Sequence, residues 1–304
     1  MKISVLIGSR NRPGILQQCL ESVLMQGYEP FEVVILDDAS HNAEAYPRLL
    51  QQIGDKRVQI VRSEKQLGVA GGRNRLFQHA TGDIFFVLDD DAVLQSPETL
   101  ARLAQIFTQY TEIGIVACKI LEICNGVQIK KVPFPRKVLR RFPGIEEKAQ
   151  LVSYFLGGAH GIRRQVIETC GSYHSELMFG EEELDLAYRT IAYGWKIYYE
   201  PAIVVYHLPQ PSVVGQENHL CTELFHHIKN RIYIVCRYLP MRYALVHLTV
   251  WLWIYASMAL RARCPMVLMK GIAAGIQLAR RTPREVLNHT AMNYLRKHFG
   301  RLWY

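Results

Sequence analysis

The sequence lacks the features of a secreted or zinc-binding protein. Its seven cysteines are an odd number, they are widely spread, and no two of them form a CxxC pair. This spacing gives no sign of a disulfide framework or a structural zinc site, and it suits a reducing compartment. No signal peptide precedes the apolar residues 3–7, so we expect a cytoplasmic protein.

Acidic residues are almost absent from the last quarter of the chain. Residues 229–304 hold 13 Lys and Arg against one acid, a net charge of +12, whereas residues 1–228 hold 23 bases and 26 acids. A nearly neutral body with a basic tail predicts an anionic partner surface, either a membrane or a nucleic acid. No RRM, KH or zinc pattern is present, so we expect no nucleic-acid partner and favour an anionic membrane.

Charged residues are also missing from residues 243–260, which contain Trp251, Trp253 and Tyr255. Eighteen uncharged residues are at the lower limit for a membrane-spanning helix. Three arrangements stay open: helices that lie in an anionic membrane interface, a buried helical subdomain, and a single membrane span. The interfacial arrangement would bring the protein to a lipid-linked acceptor.

The first 210 residues show the pattern of an α/β protein. Apolar runs predict strands at residues 3–7, 31–36, 58–61, 84–88, 113–119 and 195–206, with helical periods between several of them. This alternation predicts a Rossmann-like, mixed but mainly parallel sheet flanked by helices. Residues 125–150, which contain three prolines, predict a loop or flap. We expect a domain at 1–228 and a basic, apolar helical extension at 229–304.

The predicted strand at 84–88 ends in three adjacent carboxylates, Asp89, Asp90 and Asp91. Neighbouring carboxylates repel one another, and a divalent cation or ligand hydroxyls that share the charge would account for them. A solvated acidic turn is the alternative. In open α/β sheets ligands gather at the carboxyl ends of strands, which is where the cluster lies.

Two other predicted strands also end in polar loops. Gly8, Arg10 and Arg12 follow the first strand, and Asp38 follows the second. Basic groups suit a diphosphate, a lone carboxylate suits a base N–H or ribose hydroxyls, and the acidic cluster suits a metal that bridges phosphates. Together these loops predict a nucleotide-diphosphate site.

Two glycine-rich segments are less specific. Residues 66–75, which include Arg73, have neither the GxGxxG arrangement after a strand nor a P-loop lysine, so a mobile loop before a helix is the alternative. The glycines of residues 155–161 would let the backbone approach a ligand closely, or would form a tight turn between strands.

Four acids in five residues begin a predicted helix: Glu181, Glu182, Glu183 and Asp185. The helix dipole favours acids at this end, so capping is a structural alternative. The apolar residues among them indicate partial burial, which raises the pKa of a crowded carboxylate and suits a general base. His207 ends a later apolar strand, a place where a histidine is more often structural than a ligand.

Taken in order, these blocks resemble the inverting family 2 glycosyltransferases with the GT-A fold. The resemblance covers residues 1–210 and rests on six blocks: Asn11-Arg12-Pro13 with the helix after it, Asp37-Asp38-Ala39-Ser40, Gly68 to Asn74, Leu88 to Asp91, Glu182 to Leu186, and Pro201 to His207. One position departs from the family, which usually has aspartate as its base where Glu183 stands.

The resemblance implies a role for each candidate residue. Asp91 and His207, helped by Asp89, would hold Mn²⁺ or Mg²⁺. Asp38 would bind the nucleobase and Asp90 the ribose or sugar, and the cofactor-binding set would be Gly8, Arg10, Arg12, Asp38, Arg73, Asp89 and Asp90. The catalytic group would be Glu183 as the base, its neighbour Glu182 as the alternative base, and Asp185.

The implied reaction moves a sugar from a nucleotide-diphosphate sugar to a carbohydrate or lipid-linked acceptor, in polysaccharide or glycolipid assembly. The expected location is the cytoplasm, either free or peripheral on the inner face of the cell membrane. A sugar nucleotidyltransferase is one rival, although Gly8-Ser9-Arg10 only partly resembles its glycine-rich loop. A non-catalytic, basic membrane- or RNA-binding protein is the other, and it leaves the acidic strand ends unexplained.

Overall fold

The structure is a computed structural model that describes residues 1–209 and 216–303. The first part of the chain alternates strands and helices: β1 (Ile3–Ser9), α1 (Pro13–Leu24), β2 (Phe31–Asp38), α2 (Ala45–Ile53), β3 (Val58–Ser63), α3 (Gly68–His79), β4 (Ile84–Asp89), β5 (Ala92–Leu94) and α4 (Thr99–Gln109). Each predicted strand of this part is present. The apolar runs of β1, β2 and β4 are buried in the sheet, whereas β3 is only partly buried.

The second part contains more antiparallel structure: β6 (Ile113–Cys124), β7 (Val127–Lys131), α5 (Arg136–Arg141), a 3-10 turn (Ile145–Glu147), β8 (Gln150–Val152), β9 (Ala159–Arg163), α6 (Arg164–Cys170), α7 (Glu182–Ala192) and β10 (Lys196–His207). The chain continues with α8 (Gln216–Tyr238), α9 (Met241–Arg261), α10 (Pro265–Arg281) and α11 (His289–Lys297). The predicted helical extension is thus confirmed.

The strands form one mixed sheet in the order β3-β2-β1-β4-β9-β6-β10-β5. β3, β2, β1 and β4 are parallel, and β10 is parallel to β6. β9 is antiparallel to both of its neighbours, which joins the two parallel halves. The predicted mixed sheet flanked by helices is confirmed.

The pairing of strands brings the polar loops to one edge of the sheet. Because β1 is parallel to β4, Gly8 pairs with Asp89 at the strand ends. β5 reverses the chain direction directly after Asp91 and pairs with the end of β10, where His207 lies opposite Ala92. Loops and strand ends that are far apart in sequence therefore meet at this edge.

Three local predictions were wrong. Residues 125–150 contain β7, α5 and the 3-10 turn rather than a loop, because β7 pairs with an extension of β6 beyond residue 119. α3 starts at Gly68, so the glycine-rich segment lies within the helix and not before it. The five-residue β9 was not predicted, since His160 and Gly161 interrupt its apolar pattern.

The helices of the extension pack closely on one another. A Cβ added to Gly275 of α10 would lie 2.8 Å from the carbonyl oxygen of Lys229 and 2.9 Å from the Cβ of Ile232, both on α8. α9 has the length and composition of a membrane span, and part of it is buried in the extension. Residue 228, where we placed the boundary between the two units, lies inside α8.

Candidate active site

A cleft of about 340 Å³ opens at the edge of the sheet where β1, β2 and β4 end. Its wall includes every residue predicted to bind the nucleotide or the metal: Gly8, Arg10, Arg12, Asp38, Arg73, Asp89, Asp90, Asp91 and His207. The start of α3 and Phe179 line it as well. The structure therefore brings these predicted residues into one site.

Asp89, Asp91 and His207 form a compact set of ligand atoms. One atom from each, two carboxylate oxygens and an imidazole nitrogen, lie within 4.8 Å of one another. Oδ1 of Asp91 is buried and lies 3.1 Å from Nε2 of His207. Oxygen ligands with one imidazole suit Mn²⁺ or Mg²⁺, so the residues present fit the predicted cation.

Asp90 is buried, and protein groups hold its carboxylate. Arg12 pairs with it, and the hydroxyl of Ser9 donates to its Oδ2 at 2.7 Å. Burial raises the pKa of Asp90 to about 6, against the opposing effects of Arg12 and Ser9. Nη1 of Arg12 also donates to Asp91 at 3.2 Å. Arg12 therefore neutralises part of the acidic cluster in the structure.

Arg10 and Asp38 differ in how much hydrogen-bonding capacity they keep. Nε of Arg10 is buried, and within the described ranges it has no partner, so it can donate to a ligand oxygen. The two carboxylate oxygens of Asp38 accept from the backbone N–H groups of Leu67, at 2.7 Å, and Gly68, at 3.1 Å. Asp38 thus anchors the start of α3, and each of its oxygens keeps a second lone pair.

Arg73 joins the acidic cluster to the predicted base. Its Nη1 donates to Glu182 at 3.1 Å and to Glu183 at 3.2 Å. Its Nη2 lies 3.8 Å from Oδ1 of Asp89 and donates to the carbonyl of Gly157 at 3.0 Å. The buried guanidinium therefore lies between the acidic cluster at the end of β4 and the glutamates at the start of α7, which the sequence predicted separately.

Glu182 and Glu183 have different surroundings. Glu182 is 3% exposed and Glu183 is 8% exposed. Burial, followed by the charge of Glu183, raises the pKa of Glu182, which favours its protonated form. A Cβ on Gly157 would overlap the Glu183 carboxylate and lie 2.9 Å from Nη2 of Arg73. One prediction from the sequence was that the backbone of residues 155–161 approaches a ligand closely. In the structure, the backbone at Gly157 approaches the Glu183 carboxylate instead.

The remaining acids of this block point elsewhere. α7 begins at Glu182, as the acidic pattern predicts, and Glu181 precedes it. Asp185 is fully buried, accepts from the hydroxyl of Tyr238 at 2.7 Å and pairs with Arg189 at 2.7 Å. None of Glu182, Glu183 and Asp185 lines the cleft. Arg73 connects the two glutamates to it, whereas Asp185 is tied to α8 and to the interior of α7.

Sequence reasoning missed several residues of the site. Oε2 of Glu122 lies 3.5 Å from Nδ1 of His207, and Phe179 lines the cleft. Asn230 and Arg231 of α8 contact the residues that precede α7. Of these, only Phe179 stands next to a recognisable motif, and the others reach the site through contacts across the fold.

Residues 4–171 match the family model described as glycosyl transferase family 2. This segment is more than half of the chain, and it contains every residue predicted to contact the nucleotide. The chain belongs to glycosyl transferase family 2. Glu182, Glu183 and His207 lie beyond the matched residues, so the geometry of the site is what connects them to it.

Curated relatives of this family 2 chain match it over part of their length. An uncharacterized glycosyltransferase of Nostoc sp. is 33% identical over 128 residues, which are 41% of this chain and 38% of that protein. The succinoglycan biosynthesis protein ExoO of Rhizobium meliloti is 25% identical over 221 residues, which are 69% of this chain and 62% of that protein. The chain thus spans less than two thirds of either relative.

A solved structure shares the architecture of the family 2 chain. The mannosyltransferase PcManGT from Pyrobaculum calidifontis, in complex with GDP-Man and Mn²⁺, has a TM-score of 0.60 and 20% sequence identity, over 97% of this chain and 78% of that one. This likeness confirms the predicted GT-A fold, with its central sheet and helices on both sides.

Proposed function

We propose that the protein is an inverting, metal-dependent glycosyltransferase that moves a sugar from a nucleotide-diphosphate sugar to an acceptor hydroxyl. The observation that carries this proposal is the position of Arg73, in contact with Glu182 and Glu183 and 3.8 Å from Asp89. A diphosphate at the acidic cluster would leave the sugar near the glutamates. An in-line displacement needs the leaving group and the base to be held close to the reacting sugar.

In this proposal, the residues of the cleft bind different parts of the donor according to their charge. Asp89, Asp91 and His207 would hold Mn²⁺ or Mg²⁺, which neutralises the charge that develops on the leaving diphosphate. Arg10 offers its unpaired Nε to a phosphate oxygen, and Asp38 keeps acceptor capacity for the nucleobase. The complex of the Pyrobaculum enzyme with GDP-Man and Mn²⁺ supports a donor and a cation of this kind.

Glu183 is the general base of the proposed reaction. It is the more exposed of the two glutamates, and Arg73 holds its carboxylate. Glu182, whose raised pKa favours the protonated form, does not compete for the proton of the acceptor. Asp185 is a positioning residue in this proposal, because its partners Arg189 and Tyr238 hold it inside the fold.

The acceptor is a carbohydrate or a lipid-linked molecule at an anionic membrane. One face of α9 exposes large apolar side chains, with Leu245 at 61%, Trp253 at 74% and Leu260 at 68%, and the exposed Arg242 and Arg261 lie at its two ends. Apolar side chains flanked by bases suit the interface of an anionic bilayer. We place the protein on the cytoplasmic face of the membrane, and the succinoglycan relative supports a role in polysaccharide assembly.

Thermal unfolding with nucleoside diphosphates and nucleotide sugars, with and without Mn²⁺, tests the donor site. A ligand at 100 times its Kd stabilises the fold by about 2.7 kcal/mol, so we expect one nucleotide class to raise the Tm, and more so with Mn²⁺. Asp91→Asn should lose the Mn²⁺-dependent part of this rise and keep the Tm of the free protein. Glu44→Gln, at an exposed position outside the cleft, should respond like the wild type.

Two outcomes would contradict the proposal. Stabilisation by nucleoside triphosphates together with sugar phosphates, but not by nucleotide sugars, would indicate a nucleotidyltransferase. A Tm that no nucleotide changes would leave the acidic cluster without its proposed role.

A further inference from the structure

The segment that precedes the proposed base, residues 176–181, is held by α8. Nδ2 of Asn230 donates to the carbonyl oxygen of Phe179 at 2.9 Å and to that of Gly180 at 2.6 Å. Asn230 is fully buried, so loss of these bonds would leave its side-chain amide without partners in the interior. The helical extension therefore contacts the backbone directly before α7.

Arg231, the next residue of α8, pairs with Glu181. Its guanidinium is buried, contacts the Glu181 carboxylate, lies 4.2 Å from the ring centre of Trp251, and has Nη1 3.4 Å from Nε2 of His247. Burial by itself raises the pKa of Glu181, but Arg231, together with His227 and Arg301, lowers it to about 2. A charged and buried pair thus lies one position before Glu182.

The backbone at Glu181 is strained. Gly180 has φ +74°, which glycine adopts freely, but Glu181 has φ +71°, in the left-handed region that a non-glycine residue rarely adopts. A Cβ on Gly180 would lie 2.6 Å from Cε1 of His227 on α8. Such a turn persists only where surrounding contacts determine it. The turn at Gly180 and Glu181 sets the direction in which α7 starts, and therefore the position of Glu183.

The same segment also contacts the donor side of the site. The backbone N–H of Val69 in α3 donates to the carbonyl of Met178 at 3.1 Å, and Phe179 lines the cleft. Residues 176–181 therefore lie between the proposed donor site and α8. Their position affects both the donor cleft and the base.

We propose that Asn230 and Arg231 are positioning residues for sugar transfer, and that α8 is part of the catalytic unit. They hold the turn at Gly180 and Glu181, and through it the Glu183 carboxylate. The inference rests on the proposed function of Glu183. If the Arg231–Glu181 pair contributed only to stability, neutral side chains could replace both residues without loss of transfer. The reason is that a buried ion pair contributes little net stability.

The double variant Glu181→Gln with Arg231→Met separates the two roles. It removes both charges, so neither is left buried and unpaired, and we expect the variant to fold. Because a displacement of about 1 Å at a reacting group can cost about 10²-fold, we expect kcat to fall by roughly that factor. The donor KM should change by a smaller factor, because Phe179 of the same segment lines the cleft. Arg231→Met alone leaves Glu181 unpaired and should lower both the Tm and kcat.

Arg280→Met is the matched control. It is the same substitution in the same helical extension, and Arg280 is exposed on α10, away from the turn at Gly180 and Glu181. Its kcat should stay at the wild-type value even if its Tm falls. A double variant that folds and keeps the wild-type kcat would overturn the positioning role.

Backbone hydrogen exchange gives a readout that needs no activity. We expect residues 178–183 to exchange faster in the double variant, while the strands of the sheet keep their protection. Unchanged exchange at residues 178–183 would overturn the inference. A wild-type protein that transfers no sugar would instead contradict the proposed function, and the exchange result would still decide whether α8 holds the turn.

Discussion

Among the single residues of the site, the two adjacent glutamates, Glu182 and Glu183, differ in burial. Both contact Nη1 of Arg73. Glu182 is nearly inaccessible and its pKa is raised by burial, whereas Glu183 is more exposed and lies against Gly157. A carboxylate that must receive a proton from an incoming hydroxyl has to be reachable. In the proposed reaction, this requirement favours Glu183.

Glu183→Gln tests that assignment. We expect the rate of transfer to fall by ~10²–10⁴-fold, the usual contribution of a general base, while donor binding stays unchanged because Glu182 still pairs with Arg73. Glu182→Gln is the matched control and should keep transfer, because Glu182 does not receive the acceptor's proton in the proposed reaction. The reverse pattern of rates would move the base to Glu182.

The raised pKa of Glu182 predicts a dependence of stability on pH. The folded protein keeps a proton that the unfolded chain, with its ordinary glutamate pKa of 4.5, has lost. The free energy of unfolding therefore falls as the pH rises above about 4.5, until it reaches the pKa of the folded state. Relative to the wild type, Glu182→Gln should gain stability over this range in urea titrations. A constant difference between pH 4.5 and 8 would show that Glu182 has no raised pKa.

Within the secondary structure, the contact of α8 with α10 depends on small residues. A Cβ on Gly275 would be too close to the carbonyl oxygen of Lys229 and to Ile232. Gly275→Ala should therefore destabilise the fold by about 1–3 kcal/mol through overpacking, measured as a lower Tm. Gly14→Ala in α1 is the control, because no neighbouring atom lies within 4 Å of its added Cβ. An unchanged Tm for Gly275→Ala would contradict this packing.

The elements that the sequence predicted are those with a clear period. β4 is a continuous apolar run, and α4 repeats its apolar residues at helical spacing. β9 was missed because it is short, contains His160 and Gly161, and becomes a strand through its pairing with β4 and β6. α5 was missed because prolines lie on both sides of it, although none lies inside it.

The whole molecule is asymmetric in charge, since the extension carries +12 and the body is nearly neutral. We expect binding to vesicles that contain phosphatidylserine at low salt, and release as salt rises, because the Debye length falls from about 10 Å at 0.1 M to about 3 Å at 1 M. Sedimentation with vesicles measures this. Equal binding to purely neutral vesicles, or none to anionic ones at low salt, would contradict the proposal.

Single substitutions test whether α9 is the surface of the protein that contacts the membrane. Trp253→Ser should weaken vesicle binding, because this side chain is 74% exposed on α9. Met25→Ser removes an equally exposed apolar side chain from the body and should leave binding unchanged. Equal effects of the two substitutions would show that α9 is not the contact surface.

The sequence by itself determined the α/β alternation, the acids at the strand ends and the basic extension, because period, strand ends and composition are local properties of a chain. Only the tertiary structure decided which partners these groups have. Arg73 reaches Glu182 across 109 positions, and Arg231 reaches Glu181 across 50. No local pattern encodes such contacts, since they arise when the sheet and α8 pack around the segment before α7.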